Sequence, residues 1–398
     1  MSARRAVIVD VVRSAFGQGR TGGALDGLHP VDLYAQILRG LVARTGIDPA
    51  RVEDVITGCV IQVGEQSGNI GRQAALAAGL PESVAAVTLD RKCGSAQQAL
   101  DFAAQGVIAG AYDVVIAGGV EMMSVVPMRA NRLGKDSEGP LFRKRYPEGL
   151  IRQGISAELI AARWGISREA MDTFSLRSHQ LAAQAEDAGI TARAILPVTV
   201  PGLEGDRSVE RDEGLRRNSS LERLAALRLA FEDPAMAARF PQINWSVTAG
   251  NSSQISDGAS AALIMEEGLA NKLGLKPRAA VTHFAVCGDD PVMMLTAIIP
   301  ATRKLLARAG VAIGDIASFE VNEAFASVPL AWIKELGVDA ARVNIYGGAI
   351  ALGHPVGASG GRLLANLLAA LETTGGCYGL LTMCESGGMA NATLLERL

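Results

Sequence analysis

The sequence predicts an α/β protein of stacked sheets and helices, made from two copies of one folding unit. Three observations lead there. Short apolar runs alternate with longer helical patterns toward both ends of the chain, the rhythm of βαβ units. The same arrangement occurs twice: Asp54-Val-Ile-Thr-Gly-Cys-Val parallels Asp315-Ile-Ala-Ser-Phe-Glu-Val, and each precedes a glycine-rich turn, a long helix and a buried strand, at 93–118 and at 357–383. The chain holds 45 glycines against 4% aromatic residues, which suits tight turns and backbones in close approach. The period is far too long for a solenoid, so duplication of one α/β domain is the reading. At one domain per ~150 residues, 398 residues allow two or three units.

Taken in order, 6–9 reads as a first strand and 30–45 as a helix, with Val31, Tyr34, Ile37, Leu38 and Leu41 on one face. A strand follows at 55–60. A helix at 69–78 ends at Gly79-Leu-Pro. The next strand is 84–89, then a small-residue helix at 95–109 closed by Gly110, then a buried strand at 114–118. From Met123 to about Ser246 the style changes. A stretch dense in Arg, Lys, Asp and Glu leads to helices near 157–163 and 168–186, the second capped by Ser167, and then to a polar, loop-rich region. This is an insertion over the first unit. From Val247 the rhythm returns, with strands at 259–265, 279–287 and 319–321, helices at 297–308 and 358–371, and adjacent strands at 378–384 and 390–395. The expected divisions are 1–122 for the first half, with 247–270 returning to it, 123–246 for the insertion and 271–398 for the second half.

Composition excludes several classes. A net charge of -3 is too balanced for a nucleic-acid binder or a polybasic membrane anchor. The five cysteines, Cys59, Cys93, Cys287, Cys377 and Cys384, show no CxxC spacing and are odd in number, against a disulfide framework or zinc ribbon. That usage fits a reducing cytoplasm. The opening residues read as a strand rather than a signal peptide. The longest stretch free of charged residues, 343–361, holds six glycines and a proline and does not suit a membrane span.

Four places invite chemistry. Cys93 stands where a strand gives way to a helix, where unpaired N–H groups and the helix dipole favour thiolate. Gly94, Ser95 and Ala96 leave room for a carbonyl to approach. His354 sits in the glycine-rich run Gly347-Gly-Ala-Ile-Ala-Leu-Gly-His-Pro-Val-Gly, where a base could take a thiol proton. Phosphate cradling is the rival reading, but no GxxxxGK[ST] pattern is present. Cys384 ends a buried run and could act as acid or base. Asn322 and Glu323 follow a strand end, the usual place for a site in this fold class. Taken singly, each has a plain structural reading: a packed core cysteine, a connecting turn, a helix cap.

Their conjunction is specific. Asp90-Arg-Lys-Cys-Gly-Ser-Ala-Gln-Gln-Ala, Ala117-Gly-Gly-Val-Glu-Met-Met-Ser, Thr248-Ala-Gly-Asn-Ser-Ser-Gln-Ile-Ser-Asp-Gly-Ala, Asn322-Glu-Ala-Phe-Ala and 347–357 with His354 occur in that order. So arranged, the chain resembles the thiolase family over nearly its whole length. The resemblance implies two βαβαβαββ halves packed as a five-layer α-β-α-β-α sandwich, with a loop domain over the site. It implies reversible Claisen chemistry on 3-ketoacyl-CoA: Cys93 as acyl-carrying nucleophile, Cys384 as acid and base, and His354 activating Cys93. It further implies one oxyanion site from His354 and a water held by Asn322, and a second from the backbone N–H groups of Cys93 and Ser386. Coenzyme A enters as co-substrate, with acetyl-CoA as product and no metal or permanent cofactor. Ser253 matches a serine near the pantetheine, Met294 a methionine lining its tunnel, and Arg228 a loop-domain arginine near the nucleotide. A homodimer or homotetramer is implied, formed through the sheet of the first half, with no nucleic-acid or membrane partner.

The chain also departs from the family pattern. Ala96 replaces a common serine, and Glu385-Ser-Gly-Gly follows the second cysteine where x-Gly-Gly-Gly is usual. Arg152-Gln153 stand where acetoacetyl-specific members carry His-Met, which favours a longer or bulkier acyl group. Two other readings stand beside the main one: a CoA-ester binder with little turnover, and a short-chain biosynthetic thiolase.

Overall fold

The computed structural model describes residues 4–202 and 205–398. The first half runs β1 (Ala6–Ser14), α1 (Pro30–Thr45), β2 (Asp54–Gly58), α2 (Ile70–Ala77), β3 (Ala85–Leu89), α3 (Ser95–Ala109) and β4 (Val114–Met122). Helices α4 (Gln153–Trp164) and α5 (Arg168–Asp187) follow, and β5 (Ser256–Glu266) rejoins the sheet. The second half runs β6 (Ala279–Gly288), α6 (Ile298–Ala309), β7 (Ile316–Val321), α7 (Ser327–Leu336), α8 (Ser359–Thr374), β8 (Tyr378–Glu385) and β9 (Met389–Arg397).

Local chemistry sets the boundaries. Pro30 occupies the first turn of α1, the His29 side chain accepts from Val31 N–H, and Gly46 closes the helix in the left-handed conformation. Gly110 and Gly310 close α3 and α6 in the same way, and the Ser167 hydroxyl caps α5 by accepting from Ala170 N–H. Helix α7 is absent from the sequence reading. Pro329 lies in its first turn, where its missing N–H costs no intrahelical bond.

Among the described residues, the principal strands lie in the order β7-β8-β9-β6-β1-β5-β4-β2-β3. The repeat is visible in the pairing. In the first half β2 runs parallel to β4, β4 antiparallel to β5, and β5 antiparallel to β1. In the second, β7 runs parallel to β8, β8 antiparallel to β9, and β9 antiparallel to β6. The counterpart of β3 has shrunk to one bridge, Phe319 to Val343. Among the described residues, Val7 and Ile8 of β1, facing Ala280 and Ala279 of β6, join the two half-sheets.

Three apolar clusters define five layers. One packs α1 and α2 on the outer face of the first half-sheet. A second packs α6 and α7 on the outer face of the other. The third places α3 and α8 between the half-sheets, with Ala99, Ala103 and Val107 meeting Leu363, Leu367 and Leu371. The α3–α8 approach requires glycine. A Cβ on Gly360 would meet the backbone of Ala96 and Gln97, and one on Gly58 would meet that of Ser95 and Ala96.

Within 123–246, α4 contributes Ile155 and Leu159 to the second half's outer cluster. The 195–202 and 205–212 stretches lie against the first half: Ile195–Leu196 pairs with β1, Val198, Val200 and Val209 enter the cluster around α1, and Arg13 pairs with Asp212. Among the described residues no helix is long and apolar enough to cross a membrane.

Candidate active site

Cys93, Asn322 and Cys384 lie at or just past the C-terminal ends of β3, β7 and β8, and His354 lies on the loop that leads into α8. Duplication therefore brings equivalent ends of two sheets to one place. Cys93 occupies the turn before α3. Lys92 takes a positive φ of 50°, and the Ser95 hydroxyl donates to Lys92 O while accepting from Arg91 N–H. The thiol is buried in the middle layer with Val356, two residues past His354.

Thiolate at Cys93, expected from its position before a helix, is not favoured in this resting geometry. Burial pushes the thiol well above its ordinary range, and the nearby Cys384 and Glu385 push the same way. Desolvation outweighs the helix end because the cysteine precedes the N-cap, Gly94. Cys384 is raised to about 12, chiefly by burial, against a hydrogen bond from Asn322. Both surroundings favour the protonated thiol.

The backbone N–H of His354 donates to Gln254 O and Ser256 Oγ, which fixes the loop. Nδ1 lies 2.6 Å from Ser359 Oγ, whose proton is directed to Pro355 O at 2.8 Å. Ser359 must therefore accept from Nδ1–H, leaving a lone pair on Nε2. Burial, with the Arg362 charge behind it, lowers the imidazole to about 3 and keeps it neutral. Asn322 Nδ2 lies 3.4 Å from that nitrogen and 3.8 Å from Cys384 Sγ, so one amide links base and second thiol. Asn322 Oδ1 has no protein donor among the described residues. Glu323 holds the loop from below, accepting from Ser178 Oγ, Asn344 Nδ2 and Ile350 N–H.

The remaining expected residues spread out. Ser386 lies in the half-buried turn after β8, with Gly387 and Gly388 at positive φ. Ser253 is half-buried, its N–H donating to Ala324 O beside the Asn322 loop. Met294 is buried in the cluster that holds Phe325. A cavity of about 530 Å³ opens next to Gln254 and Ile350, with His179, Arg216, Arg217 and Arg223 on its wall. Arg228 is exposed and does not line it. The sequence reading missed Arg216 and Arg223, although Arg216-Arg217 is an evident basic pair, and missed Ser359 as the partner of His354. Among the described residues no cluster of three or more His, Cys, Asp or Glu is placed to hold a metal.

A fold of two such halves, with two cysteines, a histidine and an asparagine at their junction, defines a class. The chain matches the thiolase N-terminal domain model over residues 6–268 and the C-terminal domain model over 275–397, and it belongs to the thiolase family. It is 48% identical over 401 residues to a steroid 3-ketoacyl-CoA thiolase (FadA6) of Mycobacterium tuberculosis, covering 99% of this chain and 94% of that one. It is 44% identical to a 3-ketoacyl-CoA thiolase of Aliivibrio fischeri, covering 99% and 100%. The crystal structure of the Bacillus anthracis acetyl-CoA acetyltransferase superposes with a TM-score of 0.89 at 36% identity, covering 100% and 99%.

Proposed function

We infer that this chain is a 3-ketoacyl-CoA thiolase, an acyltransferase that cleaves a 3-ketoacyl-CoA with coenzyme A to acetyl-CoA and a shortened acyl-CoA. The observation that carries the site assignment is the Asn322 amide, set between His354 Nε2 and the Cys384 thiol. In the mechanism proposed, Cys93 attacks the keto carbon and its proton passes to His354 Nε2. The Cα–Cβ bond breaks and Cys384 gives its proton to the departing carbon. A thioester enolate is a far stronger base than a thiolate, so even a thiol raised to about 12 protonates it. Acetyl-CoA leaves and the shortened acyl group remains on Cys93; the thiol of free CoA gives its proton to the Cys384 thiolate and attacks the thioester, and Cys93 departs, recovering its proton from His354. No step passes through a metal or a permanently held cofactor.

Oxyanion support comes from His354 with a water on Asn322, and from the N–H groups of Cys93 and Ser386. Donors of this kind contribute ~10²–10³ in rate each. Arg216 and Arg223, on the cavity beside Gln254, suit the phosphates of CoA better than the outlying Arg228. Ser253 and Met294 are kept as pantetheine neighbours. The relatives' names, with Arg152-Gln153 in place of His-Met, favour an acyl chain longer or bulkier than acetoacetyl. The open edge of β3 is the surface through which a homodimer forms, alone or within a homotetramer. Two reactive thiols among five unpaired cysteines suit a reducing cytoplasm.

The test is thiolysis: 3-ketoacyl-CoAs of graded length are mixed with CoA and acetyl-CoA release is measured. Turnover that rises beyond acetoacetyl-CoA is expected. Binding of CoA esters without acetyl-CoA release would contradict the reading.

A further inference from the structure

Glu385 is a group that the mechanism leaves unused. It ends β8 and is fully buried. Leu381 and Met383 of that strand face α3 in the middle layer, and Glu385 continues the face beneath the Cys93–Gly94 turn. A Cβ on Gly94 would collide with Glu385 Oε1 and lie 3.0 Å from Asn391 Oδ1. Among the described residues neither Glu385 oxygen meets a protein donor, and neither does Asn391 Oδ1. The Asn391 amide nitrogen is occupied, donating to Gly94 O at 3.2 Å. Glu385 Oε1 and Asn391 Oδ1 thus both approach the Cβ position that Gly94 leaves empty, and two neighbouring acceptors bond to each other only if one carries a proton. A buried carboxylate without donors is heavily penalised, and a carboxylic acid is not.

The surroundings act in both directions. Asp90 and Arg91 in the turn before α3, Asp101 on α3 and the two thiols all lie within electrostatic reach of Glu385. On β9, Asn391 and Thr393 do not ionise, and the Thr393 hydroxyl is committed to Asp101. Burial is the largest influence, Arg91 opposes it, and Asp101 and Asp90 add to it, so the carboxyl is raised to about 8.

We propose that Glu385 is a positioning residue for both reactive thiols: as the neutral acid it donates to Asn391 Oδ1 and ties the Cys384 turn to the Cys93 turn, and as the carboxylate it works against thiolate formation at both cysteines. The roles of the cysteines rest on the thiolase reading above. Ionised Glu385 then damps, by about tenfold, the rise in thiol reactivity that increasing pH brings.

The test compares the full-length wild type with Glu385→Gln, which keeps the shape and a donor but cannot ionise, and with Glu385→Leu, which removes the donor. Iodoacetamide labelling of Cys93 and Cys384 is followed by peptide mass from about pH 6.5 to about 9.5, without substrate. The Gln-to-wild-type ratio of labelling rates is expected to climb ~tenfold across that range, the effect of about one unit of thiol pKa. A flat ratio overturns the proposal, whether or not the Leu variant folds. If it folds, kcat should fall at least ~tenfold, the worth of one buried hydrogen bond to a positioned group, with Gln recovering most of the loss. Equal loss in both variants overturns the bridge. Labelling uses no CoA ester, so the two readings fail separately. A flat ratio with acylation of Cys93 refutes the role of Glu385 alone, and a rising ratio with no acylation refutes the thiolase reading alone.

Discussion

Ser359 decides which nitrogen of His354 is free. Its hydroxyl proton is directed to Pro355 O, so it accepts from Nδ1–H and the lone pair falls on Nε2, toward Asn322. Without that hydroxyl the ring keeps its place through its backbone bonds but loses its tautomer. Ser359→Ala should therefore lower kcat by about tenfold, the net value of one such bond, while KM for the CoA ester changes little. Steady-state kinetics checks this; a change confined to KM would mean that the serine acts on binding instead. Nothing in the sequence marked Ser359, because a serine near a helix start reads first as a cap. Cys93 and His354 were legible as residues because strand–Cys–helix and Gly-rich–His–helix contexts are local. The electrostatics of Cys93 were not legible, because burial is set by Cys384, Glu385 and the middle layer, all remote in sequence.

The elements divide the same way. Amphipathic α1 and the small-residue helix α3 begin and end where their caps and glycines indicate. The doubling of β2 in β7, and of β4 in β8, was readable from matching apolar runs. Less legible was the path of 195–202 and 205–212, where Ile195, Leu196, Val198, Val200 and Val209 give no sustained period until they meet the cluster around α1. The edge strand β3 carries the clearest consequence at this scale. None of its residues is buried, Val87 is 44% exposed, and among the described residues its outer ladder faces no strand. A lysine there is a standard block to edge pairing. Val87→Lys should shift the sedimenting species from dimer to monomer mass with helix content unchanged. A dimer that persisted would place the interface elsewhere.

At the scale of the whole molecule, duplication explains why a site exists at all. Each half ends its parallel strands at one edge, and the α3–α8 layer presses those edges together through glycines that admit no side chain. One half supplies Cys93, and the other supplies Asn322, His354 and Cys384. The central claim is that Cys93 carries the acyl group through this junction. Intact-mass analysis tests it most directly: the protein is mixed with 3-ketoacyl-CoAs from acetoacetyl to long and ring-bearing chains, then given free CoA, with Cys93→Ala alongside. The expected result is an acyl adduct that maps to Cys93, is discharged by CoA and is absent from the variant. An adduct that persists in Cys93→Ala, or none across the panel from protein that still binds CoA, would contradict it.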